Sequence, residues 1–177
     1  MKDCMLDFES FGHTKHACIV QVGACYFDRT TGEIGEVFKA NIDARTAVQI
    51  GATIDADIVY WWLSQSKEAI ASITAQPLLP IADVMRDLNQ FLSGAKCIWS
   101  HATFDFVLLM EALKRLDIKP AFHYRTARDI RTLIDFARVT IDKQARDGVH
   151  HDALDDCKFQ VKYCVLALNK LAKKVGE

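Results

Sequence analysis

The sequence has no surplus of basic residues. Its 177 residues hold 22 Lys and Arg against 23 Asp and Glu, a formal net charge of −1. Proteins that grip long duplex DNA across a surface usually carry a clear basic excess, so the balance argues against that mode. It leaves room for a short strand end held locally, with metal ions supplying positive charge. No apolar run approaches the ~20 residues of a membrane helix, and no membrane association is expected. The N-terminus, MKDCMLDFES, meets charged residues at once where a secretory signal would be apolar; the expectation is a soluble cytoplasmic protein. There is no CxxC and no Cys/His zinc spacing. The six cysteines, at positions 4, 18, 25, 97, 157 and 164, include several within apolar runs, where a free thiol behaves as a small hydrophobe. Their even count admits disulfides, but a reduced intracellular chain is the expected state. Repeats, low-complexity tracts and linkers are absent, so a single domain over residues 1–177 is expected.

Half of the chain is hydrophobic, enough to fill the core of one α/β domain. Cys4 to Phe8 reads as a buried strand. Ala17 to Phe27 (ACIVQVGACYF) is apolar and β-branched, and it stops at the turn-rich Asp28 to Gly32. With Val37 to Ile42 it makes a hairpin, so three strands open the domain. Asp55 caps a helix with Ile58, Val59, Trp62 and Leu63 on one face. Pro80 starts another, carrying Ile81, Val84, Met85, Leu88, Phe91 and Leu92 and closed by Gly94. Lys96 to Ser100 is a strand leading into a helix from about Phe104 to Leu116. A weaker strand near Phe122 to Arg125 precedes a helix around Ile130 to Ala137. The last helix, from Ala153 to about Leu171, has a clean stripe through Leu154, Cys157, Val161, Cys164, Val165, Leu168 and Leu171. This order predicts a mixed sheet with helices packed on it.

Three clusters carry chemistry. Asp7 and Glu9 end the first strand two residues apart, so both carboxylates share one face while Phe8 takes the other. Two like charges at the end of a buried strand are costly unless a cation neutralises them, and oxygen ligands select Mg²⁺ or Mn²⁺. An ordinary solvated strand end is the plain alternative. Asp105 falls in the first turn of a helix just after a strand, where open α/β sheets place ligands; it also suits simple capping. In His150-His151-Asp152-Ala153-Leu154-Asp155-Asp156, Asp152 is the expected N-cap, with Asp155 three residues on as a weak relative of the capping box. Residues five apart within a helix diverge by about 140°. Only a His151 on the entering loop can therefore swing back to join Asp156. A capped helix with two surface histidines remains the alternative there. Taken together, four acids and an imidazole match the inventory of two-metal phosphoryl transfer, with a histidine suited to take a proton from water near neutral pH.

These motifs resemble the DEDD exonucleases with a histidine in the third motif, members of the ribonuclease H-like fold. Asp7 and Glu9 fit the first motif, Asp105 the second, and His151 with Asp156 the H-x4-D third motif. The chain is similar in particular to the exodeoxyribonuclease VIII and phage exonuclease branch. LDFESFG at 6–12, IDADIVYWWLSQS at 54–66, IWSHATFD at 98–105, RDIRT at 128–132 and GVHHDALDD at 148–156 carry that likeness. The resemblance implies a mixed five-stranded sheet flanked by helices and two Mg²⁺ or Mn²⁺ ions on the four acids. It also implies His151 as general base and release of nucleoside 5′-monophosphates from single-stranded nucleic acid ends, with 3′→5′ polarity the commoner direction in the wider family. The backbone at Ser10, Phe11 and Gly12 would face the terminal sugar, and Phe11 would be free to stack on a base. Members often pair, so a homodimer is compatible with the likeness. The sequence departs from the family at His101, where Asn is common, and at Phe11, where Thr or Met is usual.

His150 is the rival base, although its distance to Asp156 breaks the family spacing. At helical spacing Trp62 reads as core and Trp61 fits either core or a stacking platform, while Arg131 fits a phosphate contact or a surface salt bridge. Single-stranded DNA or short oligonucleotides are the expected substrates. An exoribonuclease acting on RNA 3′ ends and a catalytically inactive binding module are the alternatives, the second disfavoured because all four acids are present.

Overall fold

The computed structural model describes residues 1–175. The opening strands form as expected: β1 (Asp3–Ser10), β2 (Ile19–Phe27) and β3 (Ile34–Ile42) pair antiparallel in succession. Three helices follow, α1 (Ala44–Gln49), α2 (Ala56–Leu63) and α3 (Lys67–Thr74), and then the short strand β4 (Leu78–Leu79). α4 (Ile81–Phe91), β5 (Cys97–Ser100) and α5 (Asp105–Arg115) come next. β6 (Ala127–Asp129), α6 (Ile130–Ala137) and α7 (Ala153–Val175) complete the chain. No helix among the described residues is long and apolar enough to cross a membrane.

The sheet is mixed, in the order β4-β3-β2-β1-β5-β6. Six strands replace the expected five. The extra one is β4, which pairs parallel through Asn41↔Leu78 and Ile42↔Leu79; two residues hold no periodicity for a pattern to reveal. The last strand lies at Ala127–Asp129 rather than at Phe122 to Arg125. Phe122 instead packs on Phe106, with ring centroids 5.9 Å apart, so its apolar character serves helix packing. Leu63 also leaves its expected face and is 67% exposed, because it lies five positions past Ile58, about 140° around the helix. α1 and α3 were not foreseen, although Asp43 and Ser66 cap them through Arg45 N–H and Ala69 N–H.

The alternation along β1 decides where the acids point. Cys4, Leu6 and Phe8 join the core beneath α4 and α5, with Val84, Leu88, Leu108 and Leu109. Met5 belongs to the second core, with Cys157, Val161 and Cys164 of α7. Asp7 and Glu9 are in phase with Met5 and so face α7. Each fully buried Leu or Val in these layers stabilises the fold by about 1.5–3 kcal/mol.

Gly23 of β2 sets how closely α7 approaches. A Cβ at that position would land on the backbone of Ala153 and Leu154. The bare glycine lets the start of α7 rest on the sheet, and Cys157 Sγ donates to Gly23 O at 3.2 Å across the contact.

Candidate active site

Asp7, Glu9, Asp105 and Asp156 converge at one end of the sheet, each at least nine-tenths buried. Ligand atoms of Asp7, Glu9 and Asp156 lie within 4.8 Å of one another, and so do those of Asp7, His101 and Asp105. Asp7 belongs to both sets. Asp105, the first residue of α5, is tied to the strand it faces. Its Oδ1 accepts from Phe8 N–H at 3.2 Å and its Oδ2 from His101 N–H at 2.9 Å. Asp156 sits in the first turn of α7 and is ion-paired to Arg146. Asp7 Oδ1 accepts from Gln160 Nε2 at 2.7 Å.

So many buried acids cannot all ionise unaided. Burial, then the charges of Asp105, Glu9 and Asp156, raise Asp7 well above the carboxylate range. Burial and the charges of Asp156, Asp105 and Asp152 do the same to Glu9. Burial pushes Asp105 up to about 7 despite its backbone donors, and burial also raises Asp156 against the pull of Arg146. A cluster of oxygen donors left with this much uncompensated charge fits a hard divalent cation.

His151 stands on the loop entering α7, in the left-handed region at φ 65°. A residue with a Cβ adopts that conformation only when its surroundings enforce it. Asp152 does much of the enforcing. It caps the helix through Leu154 N–H and Asp155 N–H, both at 3.2 Å, and it binds Lys39 and the Ser72 hydroxyl. Asp155 does not close a capping box; its Oδ2 accepts from Val149 N–H at 3.0 Å. The His151 ring meets Trp61 edge-on at 4.8 Å, and its Nδ1 is 3.9 Å from Glu9 Oε1. Burial, then His150 and Arg146, lower its pKa to about 4, so the imidazole is neutral at physiological pH and able to accept a proton. His150 stacks on it at 3.8 Å and is itself exposed. Together with His151 it forms a third set with Asp156 within 4.8 Å.

Beside Glu9 opens a cleft of about 230 Å³, walled by Ser10, Gly12, Trp61, Trp62 and Phe104. Ser10 Oγ donates to Gly12 O at 2.6 Å, and Ser10 O accepts from Trp62 Nε1 at 3.0 Å. Phe11 does not wall this cleft. Its ring packs on the core, its N–H donates to Cys18 O and its carbonyl accepts from Asp55 N–H, both at 2.8 Å. Trp62 is buried as expected, and Trp61 is 41% exposed. Arg131 is exposed, and its charge reaches the site, opposing the rise of Asp105 and adding to the fall of His101 that burial begins.

Sequence reasoning missed Arg146, Gln160 and the Lys39–Ser72–Asp152 network. Only Gln160 left a trace, four residues after Asp156 on the same helix face. The others depend on contacts between distant segments.

The family described as the 3'-5' exoribonuclease Rv2179c-like domain matches residues 2–168. No curated protein matches the chain. Among solved structures, the zinc-bound E. coli ExoI–ssDNA complex superposes with a TM-score of 0.61 at 14% identity, over 97% of this chain and 40% of that one. Exonuclease I from Methylocaldum szegediense gives 0.62 at 15% identity, with the same coverages. This chain therefore spans about two fifths of the exonuclease I chains. The nuclease domain of 3'hExo, a DEDDh family member bound to rAMP, gives 0.61 at 15% identity over 94% of this chain and 91% of that one. At these identities the likeness is one of fold, and the fold is ribonuclease H-like.

Proposed function

The chain belongs to the 3'-5' exoribonuclease Rv2179c-like domain family, and on that premise we propose that it trims single-stranded RNA from the 3′ end, releasing nucleoside 5′-monophosphates. It is a 3′-5′ exonuclease of the DEDD type, a hydrolase. The observation that carries the reading is the convergence of Asp7, Glu9, Asp105 and Asp156 into donor sets that share Asp7, with His151 at their edge. The four acids would hold two Mg²⁺ or Mn²⁺ ions, which would supply Lewis-acid stabilisation of the charge developing at the scissile phosphate.

The protein's own groups do the rest. Neutral His151 accepts the proton of the attacking water. The water oxygen bonds to the phosphorus of the terminal nucleotide as the bond to the preceding 3′ oxygen breaks. The Trp61 ring edge and the Asp152 cap hold the imidazole in place. The cleft between Trp61 and Phe104 receives the terminal nucleoside, with its aromatic walls available for stacking. The sequence stretches described above support a position near the exodeoxyribonuclease VIII and phage exonuclease branch.

The family description supports RNA as substrate; single-stranded DNA is the second reading, supported by the shared fold with exonuclease I bound to ssDNA. Labelled RNA and DNA of one sequence, incubated with Mg²⁺, Mn²⁺ or EDTA, test both against Asp156→Ala. A metal-dependent ladder from the 3′ end of RNA, absent with the variant, is expected. A ladder on DNA alone selects the second reading, and intact strands under every metal condition leave a binding module.

A further inference from the structure

Among the described residues, Arg146 is the sole Lys or Arg ion-paired with any of the four acids. Its Nη1 bonds Asp156 Oδ1, on the carboxylate that completes the Asp7–Glu9–Asp156 donor set. An oxygen engaged by a guanidinium has less to offer a cation, and two positive charges at one carboxylate repel. Guanidinium and divalent ion therefore compete for Asp156.

Losing Asp156 would not cast the side chain into solvent. Its Cζ lies 4.3 Å from the centroid of the Phe159 ring, and Phe159 stands one turn beyond Asp156 on α7. Both neighbours of Arg146 are tied to α7, one through its backbone and one through its side chain. Lys162 Nζ donates to Ala145 O at 3.0 Å and pairs with Asp147 at 2.6 Å. A displaced Arg146 thus keeps its charge at the rim of the site. The anion that arrives there is a phosphodiester, whose paired oxygens match the guanidinium fork.

We propose that Arg146 is a phosphate-binding residue, held on Asp156 before metal loading and handed to a phosphodiester of the bound strand once divalent cations take that carboxylate. The phosphate half rests on the exonuclease reading; the competition half rests on the geometry alone. Metal loading and strand binding are then linked, because the first frees the residue that serves the second.

The test is a calorimetric Mn²⁺ titration of the full chain without nucleic acid, for wild type, Arg146→Gln and Arg146→Lys. It is followed by kcat and KM at saturating Mn²⁺ on a short labelled single strand. Arg146→Gln is expected to bind Mn²⁺ roughly 3- to 10-fold more tightly, through loss of the competing ion pair, and to raise KM roughly 10-fold or more. Arg146→Lys keeps a cation, so its Mn²⁺ affinity stays within about two-fold of wild type while its KM rises for want of the fork. Unchanged or weaker Mn²⁺ binding by a folded Arg146→Gln, with the lysine variant alike, overturns the competition. An unchanged KM overturns the phosphate role. A wild type that cleaves nothing overturns the exonuclease reading and the phosphate role with it, and the titration then judges the competition by itself.

Discussion

Gln160 donates from Nε2 to Asp7 Oδ1 at 2.7 Å, four residues after Asp156 on the same face of α7. One helix therefore supplies one acid of the site and braces another that comes from β1. The amide fixes the orientation of Asp7, the residue shared by two donor sets.

Gln160→Leu keeps the volume and removes the brace. Loss of a group that orients a metal-binding side chain commonly costs 10- to 100-fold in affinity or activity. The half-saturating Mn²⁺ concentration for cleavage is expected to rise by about that factor, with the melting temperature little changed. A variant with wild-type metal dependence would show that Asp7 is held by its neighbours alone.

The metal-free protein is expected to lose stability as pH rises. Asp105 ionises near its ordinary value of 3.8 when unfolded and at about 7 when folded, with Asp7 and Glu9 raised in the same direction. Below pH 3.8 both states hold the proton and nothing is lost. Between there and about 7 the unfolded chain sheds protons that the folded one retains, which favours unfolding. The cap Asp152 shifts the other way: burial opposes its ionisation, but the bonds from Lys39 and Ser72 prevail, and its effect falls at lower pH. Melting in EDTA should therefore drop by roughly 5–10 °C across that window, and Mg²⁺ should restore most of it. A melting temperature that climbs with pH in EDTA would contradict the buried-acid picture.

His151→Gln should lower kcat by roughly 10²- to 10⁴-fold, the usual range for a general base, while Mn²⁺ affinity stays within about three-fold. His150→Gln should cost only a few-fold, since His150 is the exposed member of the stacked pair. Single-turnover rates at saturating metal separate the two. Were His150→Gln the more damaging change, the base would have to be reassigned to it.

Gly23→Ala forces a methyl group against the backbone of Ala153 and Leu154. Overpacking of this kind costs about 1–3 kcal/mol. Because the obstruction sits beneath the start of α7, activity should fall further than stability does. Parallel urea melts and cleavage rates would measure both, and equal losses would mean that the helix shifts without disturbing His151 or Asp156.

The acids were legible because a strand's two-residue period and a helix's first turn fix directions locally. Asp7 and Glu9 face α7, Phe8 faces away, and Asp105 and Asp156 stand in the first turns of their helices, as the pattern predicts. The sixth strand was not legible. Leu78–Leu79 has too few residues to show a period, and its pairing depends on where β3 ends. Arg146 was equally hidden, since no local pattern says which carboxylate a loop arginine will reach. Phe11 illustrates a different limit. Its place in the motif suggested an exposed ring, but the bonds from its backbone to Cys18 and Asp55 turn that segment into the core, and Trp61 and Phe104 wall the cleft instead.

The Asp152 carboxylate joins Lys39 of β3, Ser72 of α3 and the start of α7. Those groups lie as much as 113 positions apart along the chain, so the bend carrying His151 is set only after early, middle and late segments have met. While the chain is still being translated, a growing polypeptide that has not reached residue 160 lacks the brace on Asp7, and one that stops before residue 151 lacks both His151 and Asp156. The site is in this way incomplete until synthesis has passed the point at which α7 can dock.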